Sequence, residues 1–401
     1  MEVKIKNAML IGEKFPGKRV DFIMKQAVKL LKIKPDSRMI VLSGKEKTDE
    51  SESPKAKSVG LYEKIDYLSV PSGYSRFKEI PKILNHPIAF AKSLSFKYYP
   101  MNYTLKPYLI YNEIKKLPYK IDLLHCHFGQ IGIIGSYLKK MGVCKKLAVS
   151  FYGGDITGYP KTYGKEIFKD MFENADYIIT CTNFLKRKLI EHGADPKKII
   201  MFYLPQDPGF FTPSKNKKKS REIRILTVAR LVPEKGVQNA IRAMSILSKK
   251  YRNVKYAIVG DGDYRIELEK LVSSLGLQNI EFRGLKGGKD KLEEYQSSDI
   301  FVLPSISTHK GWVEGGGLSN LEAGLCELPV VASNCGGIPE YVLAGVSGLL
   351  AEENPEDLAN KISVLIDNPS LRKKFGKAGA RHVKSIFSIK NLEALEDVYN
   401  E

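Results

Sequence analysis

Short apolar runs alternate with amphipathic stretches along the whole chain, and this alternation sets the strongest limit on how it can fold. The runs cover residues 7–11, 39–42, 123–126, 146–151 and 177–181, then 223–228, 255–259, 280–282, 300–303, 329–333 and 348–351. Most are apolar throughout rather than at every second position. Such strands are covered on both faces, which is the condition of a parallel sheet with helices on either side. A helix is expected over residues 21–31, straight after the first run. The series is interrupted by Thr212-Pro213-Ser214-Lys215-Asn216-Lys217-Lys218-Lys219-Ser220, a basic stretch with a proline that reads as a linker. With 401 residues there is chain enough for two cores. The expected architecture is α/β with two Rossmann-like domains, residues 1–211 and 223–385, joined by a linker over 212–222 and followed by a final helical segment over 386–401.

Composition narrows the setting. No apolar run approaches the ~18 residues needed to span a bilayer, and residues 1–11 alternate like a strand rather than a signal peptide. Cys126, Cys144, Cys181, Cys326 and Cys335 are scattered and form no Cys-x-x-Cys pair, so a reducing cytoplasmic setting is expected. The net charge is +19, of which +15 lies in residues 1–210. Residues 71–120 hold nine Lys and Arg against two acids, interleaved with Phe77, Phe96, Tyr98, Tyr99, Tyr103, Tyr108, Tyr111 and Tyr119. That mixture suits the inner face of an anionic membrane better than nucleic acid, because no RNA-binding module accompanies it. A solvated basic face over core tyrosines is the competing reading. Residues 43–60 have no periodicity and read as an exposed loop.

The densest chemistry lies in Val313-Glu314-Gly315-Gly316-Gly317-Leu318-Ser319-Asn320-Leu321-Glu322. Three glycines leave backbone NH groups uncovered, and Ser319 is a good N-cap for a following helix, so amides and a positive helix end converge on a point that suits a phosphate. Glu314 before the helix and Glu322 within it can reach hydroxyls on either side of a diphosphate. A glycine-softened turn with two solvated glutamates is the bland alternative. Arg230 and Lys235 follow the strand 223–228, where a doubly wound sheet places its ligands. Gly260-Asp261-Gly262-Asp263 lacks the third glycine of a dinucleotide fingerprint. His125 and His127 share one side of a strand but have no third ligand nearby in sequence, so no metal is expected.

These segments together resemble family 4 of the retaining glycosyltransferases, whose GT-B fold sets two Rossmann-like domains with their parallel sheets facing a central cleft. The resemblance rests on the glutamate pair, the following Gly-Leu-Cys-Glu-Leu-Pro-Val-Val-Ala-Ser (324–333), and Arg230 with Lys235-Gly236. It implies that Glu314 faces the donor sugar and Glu322 holds the ribose. Arg230, Lys235 and the amides after Gly316 and Gly317, at Leu318 and Ser319, would hold the diphosphate. It places Gly262 in a metal-free turn, the backbone at Arg283 beside the base, and Gly17 and Gly153 where backbone approaches the donor. Residues 1–211 become the acceptor domain, and 386–401 the segment that returns to it. Family members carry Phe-His-Gly-x-Asp where this chain has Phe151-Tyr152-Gly153-Gly154-Asp155. Tyr152, beside Asp155 in the reacting region, is a poor proton carrier with a reference pKa near ~10 and suits positioning.

The expected function is therefore transfer of a sugar from a nucleoside diphosphate sugar, UDP- or GDP-linked, to a polysaccharide, glycolipid or lipid-linked saccharide, with retention and without metal or cofactor. An epimerase of the same fold and a non-catalytic nucleotide or polyanion binder are the alternatives. Sequence leaves open whether Glu314 attacks the sugar or orients it.

Overall fold

The apolar runs form two wholly parallel sheets. The computed structural model describes residues 3–12, 15, 21–42, 54–71, 85–215 and 220–400, and side chains from residue 7 onward. The first sheet contains β1 (Val3–Ile11), β2 (Arg38–Val41), β3 (Ile65–Tyr67), β4 (Tyr119–His127), β5 (Lys146–Phe151), β6 (Tyr177–Thr180) and β7 (Ile199–Met201), in the order β3-β2-β1-β4-β5-β6-β7. The second contains β8 (Ile223–Val228), β9 (Val254–Val259), β10 (Ile280–Gly284), β11 (Ile300–Leu303), β12 (Val330–Ser333) and β13 (Gly348–Ala351), in the order β10-β9-β8-β11-β12-β13. In each sheet the chain winds outward from a central strand, returns, and winds the other way, which is the doubly wound arrangement.

Burial on both faces explains the apolar runs. In the second sheet Ile225, Ile258, Val302 and Val331 pack into one core layer with Ile241, Met244 and Ile362. Their neighbours Leu226, Val259, Phe301, Leu303 and Val330 pack into the opposite layer with Leu321, Tyr295 and Phe387. Each such side chain contributes about 1.5–3 kcal/mol on burial, so neither face of a strand can be polar without loss.

In the first unit the helix Gly129–Lys140 lies against β4 and β5 through Gly129, Gly132 and Gly135. A Cβ at Gly132 would stand 2.4 Å from Val149 Cγ1, and one at Gly135 would stand 2.5 Å from Cys126 Sγ. The helix carries no side chains there because Val149, Cys126 and Leu147 of the strands occupy the space they would need.

The contact boundaries differ from the sequence-based ones. One unit comprises Met1–Cys181, Leu185–Phe202 and Leu392–Glu401, and the other Thr182–Phe184 and Tyr203–Asn391. The C-terminal residues are anchored in the first unit by Asn7, whose Nδ2 donates to the Tyr399 carbonyl at 2.9 Å, and by the Lys29–Glu396 ion pair. Strands β3 and β7 are not legible in sequence, since both are three-residue edge strands with too little pattern to detect. Residues 54–57, expected in a loop, form a helical turn with Ala56 buried. Gly17, Phe77, residues 43–53 and linker residues 216–219 lie outside the described residues. The five cysteines are all free and buried.

Because the helix on β4 and β5 has no room for a methyl group, Gly132→Ala is expected to destabilise the first unit by about 1–3 kcal/mol. Urea titration followed by circular dichroism measures this, and an unchanged midpoint would contradict the close approach.

Candidate active site

In the second unit the chain after β8 runs through Arg230 into a short 3-10 turn, Pro233–Lys235, and then into the helix Val237–Lys250. Gly236 joins turn and helix at φ +65°, and a Cβ there would lie 1.7 Å from the Pro304 carbonyl. This contact presses Lys235 toward the loop after β11. The Lys235 ammonium is paired with the Glu314 carboxylate, at 18% and 13% side-chain exposure. Ser305 Oγ donates to the same carboxylate at 3.2 Å. The Glu314 carbonyl accepts from the Gly337 amide at 3.0 Å, which fixes the backbone as well. Burial alone would raise the Glu314 carboxyl, but Lys235, Ser305 and Arg230 outweigh it and hold it below the usual carboxylate range. Glu314 is therefore an anion at neutral pH. Arg230 is half exposed and only 3.9 Å from Glu234.

The glycines after Glu314 bring backbone close to other groups. A Cβ at Gly316 would strike the Tyr341 ring, and Gly317 turns the chain at φ +81°. The helix Leu318–Leu325 is capped by Gly317, so the expectation that Ser319 is the N-cap is corrected: Ser319 lies inside the first turn, and no side chain caps the helix. The left-handed turn at Gly317 already starts the helix one residue earlier. The Leu318 and Ser319 amides belong to that first turn, where the helix supplies no acceptor, and the helix dipole adds positive potential.

Glu322 lies on the buried side of this helix. Its Oε1 is 2.8 Å from Lys291 Nζ, and its Oε2 accepts from the Tyr295 hydroxyl at 2.7 Å. Neither partner stood out in the sequence. They lie four residues apart on the helix Gly288–Gln296, and nothing local in the sequence says that a carboxylate lies opposite. Ser305 was missed for the same reason.

Other expected site residues have structural partners. Gly262 approaches the Leu231 carbonyl, where a Cβ would stand at 2.3 Å. The Arg283 guanidinium pairs with Glu294 at 3.2 Å and Glu281 at 3.5 Å. Asp261 accepts from the Gly262 amide. No cluster of three or more His, Cys, Asp or Glu suited to a metal occurs among the described residues.

In the first unit the rings of His125 and His127 lie side by side at the end of β4, with centroids 4.4 Å apart and planes tilted by 31°. His125 is bonded to the Tyr399 hydroxyl at 2.9 Å and to Ser150 Oγ at 2.8 Å. Burial pushes its pKa down to about 3. His127, also held neutral by burial, meets the Tyr152 hydroxyl through Nδ1 at 2.7 Å, and Gln26 Nε2 donates to that hydroxyl at 3.1 Å. Burial raises the Tyr152 phenol well above its ordinary value, so it stays protonated. Asp155 is turned inward: it accepts from the amides of Gly129 (3.2 Å), Tyr152 (3.1 Å) and Gly153 (2.8 Å). That arrangement makes Asp155 the brace of the loop, with Gly153 at φ +154°.

Residues 210–382 match the family Glycosyl transferases group 1. The chain is 28% identical to the putative colanic acid biosynthesis glycosyltransferase WcaL of Salmonella typhimurium over 354 residues, 85% of this chain and 86% of that one. It is 35% identical over 162 residues to a Corynebacterium glutamicum GDP-mannose-dependent monoacylated alpha-(1-6)-phosphatidylinositol monomannoside mannosyltransferase, covering 40% and 42% of the two chains. In fold it is similar to Anabaena Alr3699/HepE, solved with UDP and glucose, with a TM-score of 0.76 at 16% identity over 99% of this chain and 100% of that one. Neither the epimerase nor the non-catalytic binder finds support in these matches. Two doubly wound parallel sheets, with the Glycosyl transferases group 1 match lying over residues 210–382 in the second unit, give the chain the GT-B fold of a glycosyltransferase.

Proposed function

We propose that this glycosyltransferase takes its sugar from a UDP- or GDP-linked donor, retains the anomeric configuration, needs no metal, and builds a polysaccharide or lipid-linked saccharide. The observation that carries the reading is the cluster of Lys235, Glu314 and Ser305, in a unit that also offers Arg230 and the Leu318 and Ser319 amides. In this reading the cations and amides take the charge that develops on the departing diphosphate, the service a divalent metal would otherwise give. Lys235 must then turn from Glu314 to the phosphate. The freed Glu314 carboxylate faces the sugar, where its negative charge stabilises the cationic anomeric carbon. Glu322 accepts the ribose hydroxyls. The GDP-mannose dependence named for the Corynebacterium relative favours a guanine nucleotide. Tyr152, a permanent hydroxyl held by His127 and Gln26, positions substrate and transfers no proton.

The acceptor side is proposed to meet an anionic membrane at the cytoplasmic face. Among the interleaved aromatics Tyr98, Tyr108 and Tyr111 are buried, so they belong to the core. Ile88, Phe96 and Tyr103 remain 70%, 78% and 66% exposed, with Lys92, Lys97 and Lys106 exposed among them. Apolar tips among cations suit lipid headgroups. No helix among the described residues is long and apolar enough to cross a membrane.

Assayed in EDTA, the enzyme is expected to keep its turnover, and Arg230→Ala and Lys235→Ala are each expected to lose about a hundredfold, as for one transition-state contact worth ~3 kcal/mol. Loss of wild-type activity in EDTA that manganese restores would refute metal independence. Near-normal turnover in both variants would remove the phosphate site.

Glu322→Gln is expected chiefly to raise the donor KM, and Glu314→Gln chiefly to lower kcat, because the first contact is made equally in ground and transition states. Steady-state kinetics separate the two, and NMR of the product reads the anomer. Equal KM effects alone, or an inverted anomer, would contradict the assigned roles.

Ile88→Ser with Phe96→Ser and Lys92→Glu is expected to abolish cosedimentation with vesicles of anionic lipid while leaving hydrolysis of the donor unchanged. Wild-type binding should fall in 1 M salt, where the Debye length is ~3 Å. Binding that ignores lipid charge would reject the membrane reading.

A further inference from the structure

Glu322 is held by two donors from one face of a neighbouring helix. Lys291 and Tyr295 lie at i and i+4 on Gly288–Gln296, so both side chains leave that helix on the same side. Lys291 Nζ reaches Oε1 at 2.8 Å and the Tyr295 hydroxyl reaches Oε2 at 2.7 Å. Phe211 closes the arrangement from a third part of the chain. Lys291 Nζ lies 5.1 Å from the centre of its ring, and the ring meets Tyr295 edge to face at 5.9 Å. Tyr295 is fully buried, and both its burial and the adjacent Glu322 charge raise its phenol well above the ordinary value. It can therefore only donate to this carboxylate.

We propose that Tyr295 and Lys291 are positioning residues that lock the Glu322 carboxylate for recognition of the paired hydroxyls of a ribose, and so decide that the donor is a ribonucleotide. The inference rests on the reading of Glu322 as the ribose ligand. An ionised carboxylate offers about four lone-pair sites on two oxygens. Each clamp donor uses one site on a different oxygen, which leaves one on each oxygen for the two adjacent hydroxyls. An unclamped glutamate would lose rotamer freedom when the ligand binds, and the clamp imposes that cost during folding instead. A site built to accept a hydroxyl rejects the analogue that lacks it, because a fixed acceptor is left unpaired. Without the clamp the carboxylate can turn away from the missing hydroxyl. Tyr295→Phe should therefore relax discrimination more than it weakens binding.

The test compares dissociation constants for UDP and GDP with those for their 2′-deoxy counterparts, by calorimetry on the full chain. The wild type is expected to favour the ribonucleotide by about tenfold or more, as for a hydrogen bond to a charged group. Tyr295→Phe should shrink that ratio several-fold, and Lys291→Met should do likewise. Lys291→Arg should restore most of it. Tyr295→Phe removes one hydroxyl and leaves the ring packing on Phe211, so a folded variant is expected, and Lys291 gives an independent measure from a partly exposed site. A wild type that binds both forms equally would remove the ribose reading of Glu322 itself. A wild type that discriminates, with Tyr295→Phe and Lys291→Met discriminating equally well, would keep Glu322 and overturn the clamp. A parallel loss of affinity for both nucleotides at constant ratio would also overturn it, since that is what a purely structural role gives.

Discussion

Because all strands of a sheet run in one direction, their carboxyl ends and the loops that follow them collect on a single edge. In the second unit that constraint brings the turn after β8 against the loop after β11, through contacts as close as that of Gly236 with Pro304. Lys235 lies 79 residues before Glu314 and Ser305 only nine before it, yet the Glu314 carboxylate holds both. Gly236, Gly260 and Gly262 are required there by approach of backbone to backbone. The chemistry is thus a consequence of strand direction before it is a consequence of side-chain identity.

The charged groups of this unit are stored as pairs. Lys235 with Glu314 and Lys291 with Glu322 are largely withdrawn from water. Each pair offsets the desolvation of its members, which neither charge alone could bear. The two pairs differ in what a ligand must do. In the proposed reading a diphosphate draws Lys235 away from Glu314, exchanging one anion for another and leaving the lysine neutralised throughout. The Lys291 pair need not open, because Glu322 keeps lone pairs to spare. One pair is suited to a charge that appears and leaves, and the other to a neutral ligand that is only bound.

At the end of β4 in the first unit the buried polar groups are uncharged instead. Its polar centre consists of His125, His127, Ser150, Tyr152 and Tyr399, joined by neutral hydrogen bonds, and burial holds both imidazoles uncharged. The tyrosine that replaces the family histidine fits this environment, since a hydroxyl needs no charge to donate or accept. Tyr399 carries the far end of the chain into the same network, so the last residues help to define a site that begins at β4.

The two parallel sheets, most of their strands and the segments holding Glu314, Glu322, Arg230 and Lys235 could be read from the sequence, because burial on both faces and exposed backbone at glycines impose local patterns that a single chain displays. The strands β3 and β7 could not, being too short to carry a period. Nor could the N-cap at Gly317, the inward turn of Asp155, or the partners of each carboxylate: Lys235 and Ser305 for Glu314, Lys291 and Tyr295 for Glu322. Which cation faces which anion depends on how helices from distant parts of the chain lie against the sheet. Sequence determines which groups are available near a strand end, and the packing of the tertiary structure decides which of them meet.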